Sequence, residues 1–102
     1  MSDAQPKLYK LDPGPGVIEQ IQAIKATAKQ AGKFAAFIDT LEKAVLRLQS
    51  DPHGSGDPEY RSKHVDALYF HATFRPLAFR YVIFEQVRGV VLLSVRLYAD
   101  FS

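Results

Sequence analysis

The sequence predicts an α+β fold in which a short N-terminal strand and a helical hairpin pack on an antiparallel sheet that ends in a three-stranded meander. Three observations carry this expectation. Residues 67–75 alternate apolar and polar side chains with period two and are followed by two more apolar-rich segments, 77–85 and 90–98; residues 17–48 carry apolar side chains at helical spacing; and the connections within residues 67–98 are short enough to require antiparallel neighbours.

Lys7-Leu8-Tyr9-Lys10-Leu11 suits a short edge strand, with lysines that discourage edge-to-edge pairing, and the polar residues 1–6 before it are expected to fray. Asp12-Pro13-Gly14-Pro15-Gly16 is a breaker cluster that ends the strand and starts a helix. In the first helix Val17, Ile18, Ile21, Ile24, Ala28 and Ala31 form an apolar stripe, with Glu19, Gln20, Gln22, Lys25, Lys29 and Gln30 on the other side. Gly32 is placed to end it in a left-handed conformation. Phe34, Phe37, Ile38, Leu41, Ala44, Val45 and Leu48 then repeat the stripe, and the short gap between the two admits either an antiparallel helical hairpin or a single kinked helix, of which the hairpin is expected. Residues 50–59, with two Asp-Pro steps and two glycines, read as a loop, and residues 60–63 as its lead into the sheet.

The meander comprises residues 67–75, 77–85 and 90–98. Leu68, Phe70, Ala72 and Phe74 face one way and Tyr69, His71, Thr73 and Arg75 the other. The second strand is apolar on both sides apart from Arg80 and the Tyr81 hydroxyl, as a central strand should be. In the third, strict alternation groups Val91, Leu93, Val95 and Leu97 against Val90, Leu92, Ser94 and Arg96. Pro76 suits the first turn, and Gly89 supplies positive φ for the second. The expected core includes Phe37, Leu41, Leu48, Phe70, Phe79, Val91 and Val95.

At 102 residues the chain is expected to be one domain, long enough to bury a core of its own. No apolar run is long enough to span a membrane, and Met1 to Lys10 lacks the apolar core of a signal peptide, so a cytoplasmic protein without membrane partners is expected. The absence of cysteine excludes disulfides and thiolate metal sites. His53, His64 and His71 share no ligand spacing, and no metal or cofactor is expected. His64 and Asp66 would share a face if the first meander strand began that early. Signatures of phosphate-loop, zinc-protease and nucleophile-elbow enzymes are missing.

The meander is locally basic, with Arg75, Arg80, Arg88 and Arg96 against Glu85. His71, Thr73 and Arg75 share a face, Arg80 on the next strand lies near them, and Ser94 and Arg96 can join them. Guanidinium binds phosphate in a bidentate manner and imidazole moves protons near neutral pH, so the patch suits RNA or an acidic partner segment; the plainer reading is a solvated sheet face. Arg80 lies in so apolar a strand that it needs a compensating partner, with Glu85 or Asp66 as candidates.

This order of elements resembles the RelE/ParE superfamily of bacterial toxins from type II toxin–antitoxin systems. The resemblance runs over roughly residues 7–98 and is carried by Leu48-Gln49-Ser50-Asp51-Pro52, by Phe79-Arg80-Tyr81-Val82-Ile83-Phe84, which is similar to the family's Tyr-Arg-Val-x-Tyr strand, and by Val90 to Leu97 as closing strand. It implies growth inhibition, through cleavage of messenger RNA on the ribosome or through DNA gyrase, and neutralisation by a cognate antitoxin. Arg80 matches the arginine of the central strand, while His71 and Thr73 fall where the RelE branch carries lysines. Tyr98 is the one phenol after Arg96 and no arginine follows it, so the C-terminal catalytic residues of the ribonuclease branch are not matched. Catalytic candidates are His71, Arg80, Arg96 and Tyr98. Candidates for binding RNA or a partner are His71, Thr73, Arg75, Arg80 and Arg96. The alternative is a non-toxic member of the fold that serves as a small protein-interaction module; growth arrest on induction separates the two.

Overall fold

The computed structural model describes residues 8–63 and 66–100, so the expectations for residues 1–6 and for His64 lie outside the described residues. In chain order the elements are strand β1 (Lys10–Pro13), helices α1 (Val17–Gln30) and α2 (Phe34–Ser50), strands β2 (Asp57–Arg61), β3 (Ala67–Phe74) and β4 (Leu77–Phe84), a 3-10 turn (Glu85–Val87), and strand β5 (Gly89–Leu97).

The helical hairpin forms as its periodicity requires. Gly32 takes φ 71°, and the amides of Gly32 and Lys33 donate to the carbonyls of Lys29 and Ala28, the paired bonds that close a helix at a left-handed residue. Val17, Ile24 and Ala28 from α1 and Phe37, Ala44 and Leu48 from α2 enter the core. Leu41 packs on its margin. Ile18, Ala31 and Phe34 of the expected stripes stay exposed. The Lys29 ammonium stands 5.1 Å from the Phe34 ring centroid and shields it in part.

The sheet runs in the order β1-β5-β4-β3-β2. Its meander, β3-β4-β5, is antiparallel, whereas β1 runs parallel to β5, with Lys10 opposite Gly89 and Pro13 opposite Leu92. The sheet is therefore mixed. Short loops force antiparallel pairing only between strands that they join, and β1 and β5 are joined by the rest of the chain. The strand also sits downstream of the expected Lys7–Leu11 segment, because the Tyr9 amide is taken by the Gln49 carbonyl at the end of α2 and the ladder begins at Lys10, whose amide donates to Arg88. The last three residues of the expected loop, 57–59, are likewise strand: β2 pairs antiparallel with β3 as an edge, where Pro58 loses little by lacking an N–H. In the β4–β5 turn positive φ falls on Arg88 (48°) instead of Gly89, which opens β5.

The core lies between the helices and one sheet face, lined by Phe70, Ala72, Leu77, Phe79, Tyr81, Ile83, Val90, Leu92 and Val95. Tyr81 is fully buried and its hydroxyl donates to the Pro52 carbonyl at 2.7 Å, which meets the polar requirement of a buried phenol. Burial pushes its pKa well above the usual phenol range. Val91 departs from expectation: it is half-buried on the opposite face, because a β-bulge shifts the β4–β5 register between Arg80 and Tyr81. Arg80 faces Ser94 and Tyr81 faces Leu92, so Leu93 is the extra residue and strict alternation fails there. Past the end of β1, the Val95 amide finds its acceptor in the Gln20 side chain of α1 at 2.7 Å, which places Gln20 against the sheet and not on the outer helical face.

Candidate functional site

The sheet face turned away from the helices carries a groove of about 310 Å3. Its floor follows from two rows of the ladder, and a third row lies beside it on the same face. Asp57, His71, Arg80 and Ser94 form one row across β2, β3, β4 and β5; Thr73, Ala78 and Arg96 form the next. Ala78 is the small residue between Thr73 and Arg96, and it leaves room where a larger side chain would fill the floor. The third row, on the other side of His71, is Tyr60, Tyr69, Val82 and Val91.

Two bulges assemble the polar side chains on this face. Without the extra Leu93, Ser94 and Arg96 would follow Val90 and Leu92 to the core side; with it, they turn to the groove and Val95 takes the core position. In β2 the register shifts between Pro58 and Tyr60, which leaves Glu59 as the extra residue. Its carboxylate reaches over β3: Oε1 accepts from Arg80 Nη2 at 3.0 Å and Oε2 lies 3.3 Å from His71 Nδ1. His71 Nε2 lies 3.8 Å from Asp57. Gly56 sets the approach of this segment to β3, since a Cβ at that position would run into the His71 carbonyl.

The electrostatics follow from these contacts. The hydrogen bond from Arg80, opposed by partial desolvation and reinforced by the charges of Arg80 and His71, holds the Glu59 carboxyl below the usual carboxylate range. The same bond and charge raise Arg80 above its ordinary value. Contrary to the expectation of a deeply set arginine, the Arg80 side chain is 49% exposed and bonds Glu59, not Glu85 or Asp66. Asp66 is held by Arg61 at 3.0 Å, and Glu85 by His53 and Tyr9.

The same architecture occurs in two solved complexes. A chain of the toxin–antitoxin complex RelBE2 from Mycobacterium tuberculosis superposes with a TM-score of 0.69 at 19% identity, covering 96% of this chain and 100% of that one. A chain of the archaeal RelE–RelB complex from Pyrococcus horikoshii gives 0.57 at 10% identity, over 91% and 98% of the two chains. The fold is RelE-like. No protein-family model and no curated protein matches the sequence.

On this RelE-like fold, His71, Thr73, Arg80 and Arg96 of the sequence-derived candidates line one groove, together with Ser94. Arg75 and Tyr98 do not. Arg75 lies exposed beyond the end of β3, and Tyr98, 48% exposed, donates its amide to the Pro76 carbonyl beside the β3–β4 turn. Sequence reasoning missed Glu59 and Asp57, because an Asp-Pro step read as loop. The available signal was charge balance, since a basic meander attracts nearby carboxylates and these two precede it directly.

A second polar cluster lies at the far end of the sheet. The Tyr9 hydroxyl donates to Glu85 at 2.8 Å, His53 Nε2 lies 2.7 Å from the same carboxylate, and the Arg88 guanidinium sits 4.3 Å above the Tyr9 ring centroid. It ties the N-terminal segment, the loop after α2 and the β4–β5 turn together.

Proposed function

We propose that this chain is the toxin of a type II toxin–antitoxin pair and that it inhibits growth by cleaving messenger RNA in the groove. The observation that carries this reading is the contact of Glu59 with both His71 and Arg80 on an open, arginine-bearing sheet face. A carboxylate, an imidazole and a guanidinium are the groups that RNA transesterification needs. Glu59 takes the proton of a 2′-hydroxyl; the 2′-oxygen attacks the adjacent phosphorus and a 2′,3′-cyclic phosphate forms as the P–O5′ bond breaks. His71, as imidazolium, gives its proton to the departing 5′-oxygen, and Arg80 pairs with the phosphoryl oxygens where charge develops. Thr73, Ser94 and Arg96 hold the flanking phosphate.

Arg80 also keeps Glu59 a weak base in the free protein. A substrate phosphate competes for the guanidinium, and as it draws Arg80 away the carboxylate regains basicity, so the base strengthens when the phosphate is in place. A cognate antitoxin is the expected partner, in keeping with the two neighbouring structures, both described as toxin–antitoxin complexes.

The second reading is a non-toxic interaction module. Its support is that Glu59 neutralises Arg80 and that Tyr98 stands away from the groove. Induction of the chain without an antitoxin, with messenger RNA mapped for new 5′-hydroxyl ends, decides the matter. Growth arrest with cleavage that disappears in Glu59→Gln supports the ribonuclease. Arrest with intact messenger RNA removes the nuclease reading and moves the target to gyrase or another molecule, and normal growth favours the interaction module.

A further inference from the structure

Next to the carboxylate, imidazole and guanidinium stands an aromatic pair that the chemistry above leaves unused. Tyr60 and Tyr69 are directly opposed across β2 and β3, and their rings stack at 12° with centroids 4.4 Å apart. Tyr69 precedes His71 by two positions on β3, so both point to the groove face, and Tyr60 joins them through its pairing. The Glu59 bulge thus puts two consecutive β2 side chains, a carboxylate and a phenol ring, on one face. One face of the Tyr60 ring rests on Tyr69, yet the residue is 55% exposed. It stands one row from His71 and Arg80, about 7 Å along the strand.

We propose that the Tyr60–Tyr69 stack is a nucleobase platform that receives one unpaired base of single-stranded RNA on the outer face of Tyr60 and so brings that nucleotide's 2′-hydroxyl to Glu59 and its phosphate to Arg80. The proposal rests on the RNA reading of the groove. An aromatic ring already held by a stacked partner loses little freedom when a base lands on it, and stacking accepts any base. Two guanidinium groups, Arg80 and Arg96, stand in the groove to receive a phosphate, against the Glu59 carboxylate that Arg80 shares in the free protein. A duplex presents no open base face, so the platform selects single strands.

The test uses the full chain and a short single-stranded RNA with every 2′-hydroxyl methylated, which binds but is not cut. Binding is read from the anisotropy of a fluorescent label on the oligonucleotide. Tyr60→Ala is expected to weaken binding by about 5- to 150-fold, whereas Tyr60→Phe stays within about twofold of the parent. An abasic oligonucleotide is expected to bind both the parent and Tyr60→Ala alike. Tyr60→Leu, which keeps an apolar cover on Tyr69 and a strand-forming side chain, should match the alanine variant and so separates loss of the ring face from loss of fold. If RNA binds the parent and is lost with Arg80→Ala, while Tyr60→Ala and Tyr60→Leu bind normally, the platform is overturned and the groove reading survives. If the parent has no affinity for RNA, both fall. If Tyr60→Ala weakens binding of the antitoxin and leaves RNA affinity unchanged, the pair is a protein contact and the platform is overturned.

Discussion

Replacing Arg80 by alanine separates a residue that holds the fold from one that serves a target. The Arg80–Glu59 contact is 3.0 Å long, but its two side chains are 49% and 25% exposed. At the dielectric of water two unit charges this close attract by roughly 1 to 1.5 kcal/mol, and ordering two long side chains removes part of that. The net contribution to stability is therefore about 0.2 to 1 kcal/mol. Removing one partner of a buried pair would instead cost about 3 to 5 kcal/mol, and among the described residues no charged side chain is buried. Urea unfolding of Arg80→Ala is thus expected to show a loss of about 1 kcal/mol or less. Cleavage of ribosome-bound messenger RNA should fall by about 100- to 1000-fold, the usual effect of removing one group that stabilises transition-state charge. A stability loss above about 3 kcal/mol would refute the exposed-pair argument. Unchanged cleavage by a folded variant would refute the role of Arg80 at the phosphate.

Phe79→Ala removes a core ring that is 1% exposed and should cost about 3 to 5 kcal/mol in urea unfolding. Val90→Ala should cost more than Val91→Ala by the same measurement, because the Leu93 bulge places Val90 in the core and Val91 on the groove face; equal losses would mean that the register is wrong. Gly56→Ala forces β2 away from the His71 carbonyl and should destabilise by about 1 to 3 kcal/mol, with cleavage falling further than stability explains, since Glu59 is displaced too. The hydrogen bonds from His53 and Tyr9 hold the Glu85 carboxyl below its ordinary value of 4.5. The unfolded chain then takes up this proton first, so the stability contributed by Glu85 is present above about pH 4.5 and is lost as pH falls through the lower folded-state value. Thermal unfolding of Glu85→Gln across the acid range should show a shallower decline than the parent.

Sequence alone determined the elements whose signals are local. The helical hairpin follows from apolar spacing and from Gly32, and the meander follows from alternation plus connections too short for a crossover. These are properties of neighbouring residues, so they are written in neighbouring residues. The polar face was legible in part for the same reason: His71 and Thr73 alternate with Phe70 and Ala72, and Arg80 interrupts an apolar strand.

Tertiary structure decided what depends on pairing between distant segments. The parallel join of β1 to β5 has no local signature, because the two strands meet only after the whole chain has folded. β2 lacked a strand pattern because an edge strand exposed along its length carries no buried face to show periodicity. The two bulges matter most for function. Each adds one residue to a ladder, and one residue reverses every side chain beyond it. The bulge at Leu93 sent Ser94 and Arg96 to the groove and Val95 to the core, while that at Glu59 swung a carboxylate across β3 to Arg80. Periodicity read along one strand cannot register an insertion that exists only relative to its partner, and so the carboxylate at the centre of the site became visible only once β2 was laid against β3.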